Sequence, residues 1–215
     1  MKEKTTISVL IIVVIFLALG FSFYFIKHKN SQLNSENIIQ ENQEKTPSLE
    51  NQNSLNGEQQ QENKIIENNF SINVPDGWAE AVAPDGVSAM VVKLNEQLNN
   101  PAAEQINFRS YFAVTYDILH GDTFEGYLRN FKSTFLQTMI GSVFTEEKEV
   151  IINNNSAYVM EASLNQQGVD FKVLLAVVKG EGESVWILSF NTVENLWKEY
   201  ENDFYEVANS FILKK

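Results

Sequence analysis

The stretch "FKVLLAVVKGEGESVWILSF", residues 171–190, decides the fold. Two apolar runs flank Gly180-Glu181-Gly182-Glu183, a pairing of residues that favours a turn. In an extended chain successive side chains point to opposite sides, so "VLLAVV" and "VWILSF" are apolar on both faces. Strands of that kind need cover on both sides, which in practice means helices above and below.

Working outward, Glu147–Ile152 reads as a strand, Asn153–Asn155 as a turn and Ala157–Leu164 as its partner. Asn165–Gly168 then turns into Val169–Val178, and Gly180–Glu183 turns into Ser184–Asn191. Short turns between strands give a meander, hence antiparallel pairing. Upstream, Val87–Leu94 and Arg109–Ile118 are further strands. In "FSINVPDGW" Phe70, Ile72 and Val74 alternate with polar residues, and Pro75-Asp76-Gly77 closes the run before Trp78. The chain has no aromatic residue between Phe25 and Phe70, so a folded unit begins here. Two amphipathic helices supply the cover. One starts at Asp122 or Thr123 as cap and stripes Phe124, Leu128, Phe131, Phe135 and Met139; the other aligns Trp197, Tyr200, Phe204, Val207 and Phe211. The expected fold class is α+β: an α/β/α sandwich on a central antiparallel sheet of about six or seven strands.

The first 67 residues read differently. Ile7–Ile26, "ISVLIIVVIFLALGFSFYFI", carries no charge and is bracketed by Lys2 and Lys4 before it and Lys27 and Lys29 after it. A helix of that length spans roughly 30 Å, the hydrocarbon core of a bilayer. Ala18-Leu19-Gly20 offers small residues for signal cleavage, but the apolar run continues well past them, so residues 1–29 are expected to be an uncleaved transmembrane signal anchor. Residues 30–67 are rich in Asn, Gln, Glu and Ser and poor in apolar residues, the composition of a disordered linker. Residues 68–215 are then the globular domain. The expected location is the cell membrane, single-pass, with the carboxyl-terminal domain extracytoplasmic and the bilayer contacted through the N-terminal helix.

The net charge of −12 falls mostly on the domain. An acidic surface opposes nucleic acid, whose affinity rests on Lys and Arg at phosphates. With no cysteine, disulfides, thiolate nucleophiles and lipid-acylated cysteine are excluded. The two histidines, His28 and His120, are too few for a multi-histidine metal site, and no phosphate-loop, dinucleotide, zinc-protease or EF-hand motif occurs. Glu146, Glu147 and Glu149, with Glu181 and Glu183, read as solvated charge at strand ends and turns rather than as catalytic pairs or calcium ligands. Trp78, Trp186 and Trp197 lie on apolar stripes and read as core.

Taken in order, "VPDGW", "GDTFEGYL", "INNNSAYVMEASL", the stretch quoted first and "WKEYENDFYEVANSF" resemble the PsbP-like superfamily (Mog1/PsbP/DcrB), in its membrane-anchored bacterial type, over about residues 68–214. The resemblance implies a central antiparallel sheet between helices and a non-enzymatic binding or assembly module, with no cofactor and no catalytic residue to carry over. A membrane-tethered extracytoplasmic module with an envelope protein as partner is therefore the expected function; the alternative is a carboxylate-based envelope hydrolase. The least regular segment, Asn95–Phe108, is the expected partner-binding loop, with Leu98, Asn100, Pro101, Glu104 and Ile106 as its contact residues.

Overall fold

The computed structural model describes residues 63–214. Ten strands are β1 Lys64–Ile66, β2 Phe70–Asn73, β3 Trp78–Glu80, β4 Val87–Lys93, β5 Tyr111–Ile118, β6 Val143–Ile152, β7 Asn155–Gln166, β8 Val169–Lys179, β9 Ser184–Val193 and β10 Ile212–Leu213. Three α-helices are α1 Pro101–Gln105, α2 Phe124–Thr138 and α3 Trp197–Ser210. The predicted anchor lies outside the described residues, as does the linker up to residue 62.

Seven strands form the main sheet, in the order β3-β4-β5-β9-β8-β7-β6. Every neighbouring pair is antiparallel. The meander β6–β9 turns twice through two-residue connections, Asn153-Asn154 with φ of 45° and 68° and Gln167-Gly168 with φ of 53° and 79°. Left-handed backbone at both central positions is the hairpin turn whose twist matches that of the strands, and Asn and Gly are the residues that tolerate it. The Asn153 amide also donates to the carbonyl oxygens of Asn209 and Phe211, each at 2.8 Å, tying this turn to the end of α3.

Register fixes which side chains share a face. Phe190 on β9 pairs with Phe112 on β5 and Leu174 on β8, while the adjacent Asn191 pairs with Tyr111 and Val173. The first set meets α3: Phe204 stacks against Phe190 at 5.2 Å and against Trp78, Trp197 and Tyr200 at 5.7–6.1 Å. The second set meets α2, which places Phe135 at 5.2 Å from Phe144, in register with Ala162 and Val173. The helices therefore cover opposite faces, and β8 and β9 are buried on both. The α/β/α arrangement and a sheet of seven strands agree with the sequence expectation.

The amino-terminal strand differs. Phe70–Asn73 does not join the main sheet but is the middle strand of a second one, ordered β1-β2-β10. Phe70 packs against Trp186 at 5.2 Å and Phe211 at 5.4 Å, so this small sheet lies on the α3 side. Strand β1, Lys64–Ile66, falls inside the segment read as disordered linker. Only Ile65 of the three faces the core, at 6% exposed, and so short a run gives no periodicity to read.

Phe204 is 1% exposed at the convergence of four rings. Phe204→Ala is expected to cost about 3–5 kcal/mol through lost burial and a residual cavity. Urea denaturation checks this: the midpoint should fall with the slope unchanged, and a loss below about 1 kcal/mol would show that the ring cluster does not hold α3.

Candidate functional site

The structure places the residues of the sequence-predicted partner loop as follows. Leu98 is buried in the core at 6% exposed, and its carbonyl oxygen accepts from the Asn195 amide at 3.1 Å. Asn100 caps α1, its Oδ1 accepting from the backbone amides of Ala102 and Ala103 at 3.1 Å each, and Pro101 follows at the first helical position. Ile106 packs half-buried on the core; Pro101 and Glu104 reach the surface.

The other candidates are equally accountable. Trp78, Trp186 and Trp197 are all buried. His120 takes φ of 56° in the turn before α2, with Nε2 3.7 Å from Asp117 Oδ1. Asp117 itself is buried and accepts from the Tyr127 hydroxyl at 2.7 Å. Burial first, and then this carboxylate, push the Tyr127 phenol above its ordinary pKa. Thr123 caps α2, its Oγ1 accepting from the Gly126 amide at 3.1 Å. A Cβ at Gly126 would stand 2.1 Å from Asp122 Oδ1, so any side chain there would displace the exposed Asp122 carboxylate. Among the described residues no three His, Asp or Glu side chains gather closely enough to hold a metal ion.

What the strands and α2 do create is an open groove of about 860 Å³ on the α2 face. The first turn of α2, with Phe124, Glu125 and Leu128, forms one wall. Glu149 and Ile151 on β6, Ser156 and Tyr158 on β7 and Lys179 at the end of β8 form the other. The register explains this convergence: Glu149 pairs with Tyr158 and Ile151 with Ser156. Its floor is apolar and its rim polar, the composition of a surface that receives another molecule. Asp122, Glu125 and Glu149 set an acidic rim against the single cation Lys179, whose ammonium donates to the carbonyl oxygen of Gly182 at 3.2 Å.

Glu147, on the groove face of β6, is ion-paired. Lys132 on α2 donates to Glu147 Oε2 at 2.7 Å, and the Tyr158 hydroxyl donates to the same oxygen at 2.9 Å. The Lys132 hydrogen bond holds the Glu147 carboxyl below its ordinary range, against the opposing pull of partial burial. Glu146 pairs with Lys148 at 3.4 Å. A general acid needs the opposite shift, toward a raised pKa. On the other face Lys172 pairs with the buried Glu161 at 3.1 Å; the Tyr205 hydroxyl also donates to Glu161, at 2.8 Å, and Lys172 donates to Thr145 Oγ1 at 2.6 Å. This pair is closed by Trp197, over whose ring Lys172 lies at 5.5 Å.

Sequence reasoning does not find the groove, because its walls come from three separated stretches. One local signal was available: "TEEKEV", residues 145–150, lacks the alternation of a half-buried strand, which marks β6 as a sheet edge.

Comparison with solved structures places this architecture among proteins of PsbP-like fold. The chain superposes on the cyanobacterial PsbP (CyanoP) of Synechocystis with a TM-score of 0.54 and 17% identity, covering 75% of this chain and 98% of that one. LpqN of Mycobacterium tuberculosis, involved in cell envelope biogenesis, gives 0.54 and 14%, covering 74% and 88%. A Pseudomonas aeruginosa protein of unknown function gives 0.50 and 14%, covering 67% and 92%. No family model and no curated protein matches the sequence.

Two predictions follow from the ion pairs. A carboxyl whose folded pKa is depressed adds stability above its unfolded value, near 4.5, and loses it as pH falls through the lower folded value. Glu147→Gln should therefore flatten the acid limb of stability against pH, by about 0.2–1 kcal/mol for so accessible a pair; an unchanged limb would show that the pair is idle. Lys172→Met leaves Glu161 buried without its cation and should cost about 3–5 kcal/mol, whereas Lys172→Met with Glu161→Leu should recover most of it. Thermal melts of the two variants check the difference.

Proposed function

We propose that this chain is a non-catalytic binding module, held at the outer side of a cell membrane by residues 1–29 and a linker, and that it captures an envelope protein. The observation that carries the binding role is the groove: an apolar floor with an acidic polar rim, built on a rigid sheet rather than on loops. Glu147 beside the groove is engaged by Lys132 and Tyr158, which supports recognition rather than hydrolysis. The fold likeness to CyanoP and LpqN supports the same reading, the second through its part in envelope biogenesis. Tethering rests on the uncharged run Ile7–Ile26 and the polar stretch after it. In that arrangement the linker would let the domain search a shell above the bilayer for its partner.

The test has two arms. Protease added to intact cells should digest the domain, and protection would overturn the topology. Crosslinking of the full-length chain in its native membrane, read by mass spectrometry, should recover one envelope protein reproducibly; recovery of nothing above a membrane-protein background would overturn the capture role.

A further inference from the structure

From the geometry of β6 we infer that the outer edge of this strand is a docking site for an extended, basic segment of a partner protein, which adds to the sheet as an eighth strand. The inference rests on the binding role proposed above and says how the partner is held.

The two edges of the main sheet are unlike. Strand β3 is three residues long, whereas β6 runs for ten, and among the described residues no strand pairs with its outer side. The register shifts between Phe144 and Glu146, and beyond it the row of amide and carbonyl groups from Glu146 to Ile152 is a template for strand addition. Exposed apolar side chains stand at both ends. Ile151 is 68% exposed where β6 borders the groove; Val143 is 60% exposed and Ile140 87% where the chain enters from α2. Isolated exposed apolar residues are ordinary, but here they bracket an unpaired strand. Between them lie Glu146, Glu147, Lys148 and Glu149. Glu147 and Glu149 share the groove face with Ile151 by strand alternation, and Glu149 forms no salt bridge among the described residues.

Charge selects the occupant. A second copy of this chain pairing antiparallel about a two-fold axis must oppose residues of the same face. In the registers that overlap most of the ten residues, centring on Lys148 sets Lys148 against Lys148 and Glu147 against Glu149, and centring on Glu147 or Glu149 sets that carboxylate against itself; only slipped registers with a shorter overlap escape this. Like charges directly opposed destabilise a strand pair. The linker of this chain is Glu-rich and meets the same repulsion. A segment with Lys or Arg at alternate central positions and apolar residues at its ends answers Glu149, which has no salt bridge among the described residues, together with Val143 and Ile151.

The probe is a fluorescein-labelled peptide matched to the ten residues of β6, with alternating lysine and threonine between terminal valines. It is added to the full-length chain in neutral detergent, beside a glutamate-for-lysine version and a version with alternate backbone amides methylated. The lysine peptide should bind and the glutamate peptide should not. Glu149→Lys should weaken binding by about two- to fivefold, the range for one exposed ion pair. Glu206→Lys, the same charge change on the exposed side of α3, should leave it unaltered. Methylation should weaken binding by about tenfold or more, because strand addition needs those amides. Equal binding of the methylated and unmethylated peptides, equal effects of the two charge reversals, or no binding of the lysine peptide would each overturn the inference. If Glu149→Lys still crosslinks the envelope protein as well as the unaltered chain, the edge is dismissed while the capture role stands. Peptide binding without any crosslinked partner keeps the edge and removes the capture role.

Discussion

Phe204 touches four rings, and those rings belong to β3, β9, the first turn of α3 and its second. Through Phe190 the cluster reaches Phe112 at 5.5 Å, and through Trp78 it reaches the same ring at 6.2 Å. The face of the sheet toward α3 is therefore one continuous aromatic layer from the β3 edge to the centre. Lys93 closes it on the solvent side, its ammonium 5.6 Å from Trp78 and 5.5 Å from Tyr200. A three-residue edge strand such as β3 has few ladder hydrogen bonds of its own, and this layer is what fixes it.

The opposite end of the sheet is held by different means. Around β6, besides Phe144 against Phe135 and the buried Ile152, half-exposed charges make the contacts: Lys132 with Glu147, Lys148 with Glu146, and Lys148 over the Tyr205 ring at 4.3 Å. Contacts of this kind are individually weak and rearrange without disturbing a core. One end of the sheet is thus edged with rings and the other with charges, and the groove lies at the second.

Much of this was legible in the chain. The meander, the Asn and Gly turns, both amphipathic helices and the need for cover on both faces follow from periods of two and 3.6 and from turn chemistry. Three things were not. Strands β1 and β10 are too short to show a period, and they are defined by pairing with β2, whose Asn73 amide meets Ser210 Oγ 137 residues away. The segment around α1 reads as irregular, and nothing local in it reports that Leu98 and Ile106 pack on the core. The groove needs α2, β6, β7 and β8 to converge, and no local pattern reports such a meeting. The segments expected to be an anchor and most of a linker lie outside the described residues.

The order of strands has a consequence for how the domain forms. Strands β6 to β9 are joined by tight turns and can assemble from neighbours in sequence, cheaply in loop entropy. Strand β5 cannot: its partner is β9, and Ser110 at its threshold bonds Thr192 across 82 residues. Strand β2 waits longer still, for β10 at the far end of the chain. A chain emerging amino-terminus first therefore exposes the apolar faces of β2 through β5 until nearly the last residue has appeared. Non-local pairing of this kind folds slowly. The interval in which the nascent chain needs protection from its own unpaired strands is set by topology, before any question of final stability arises.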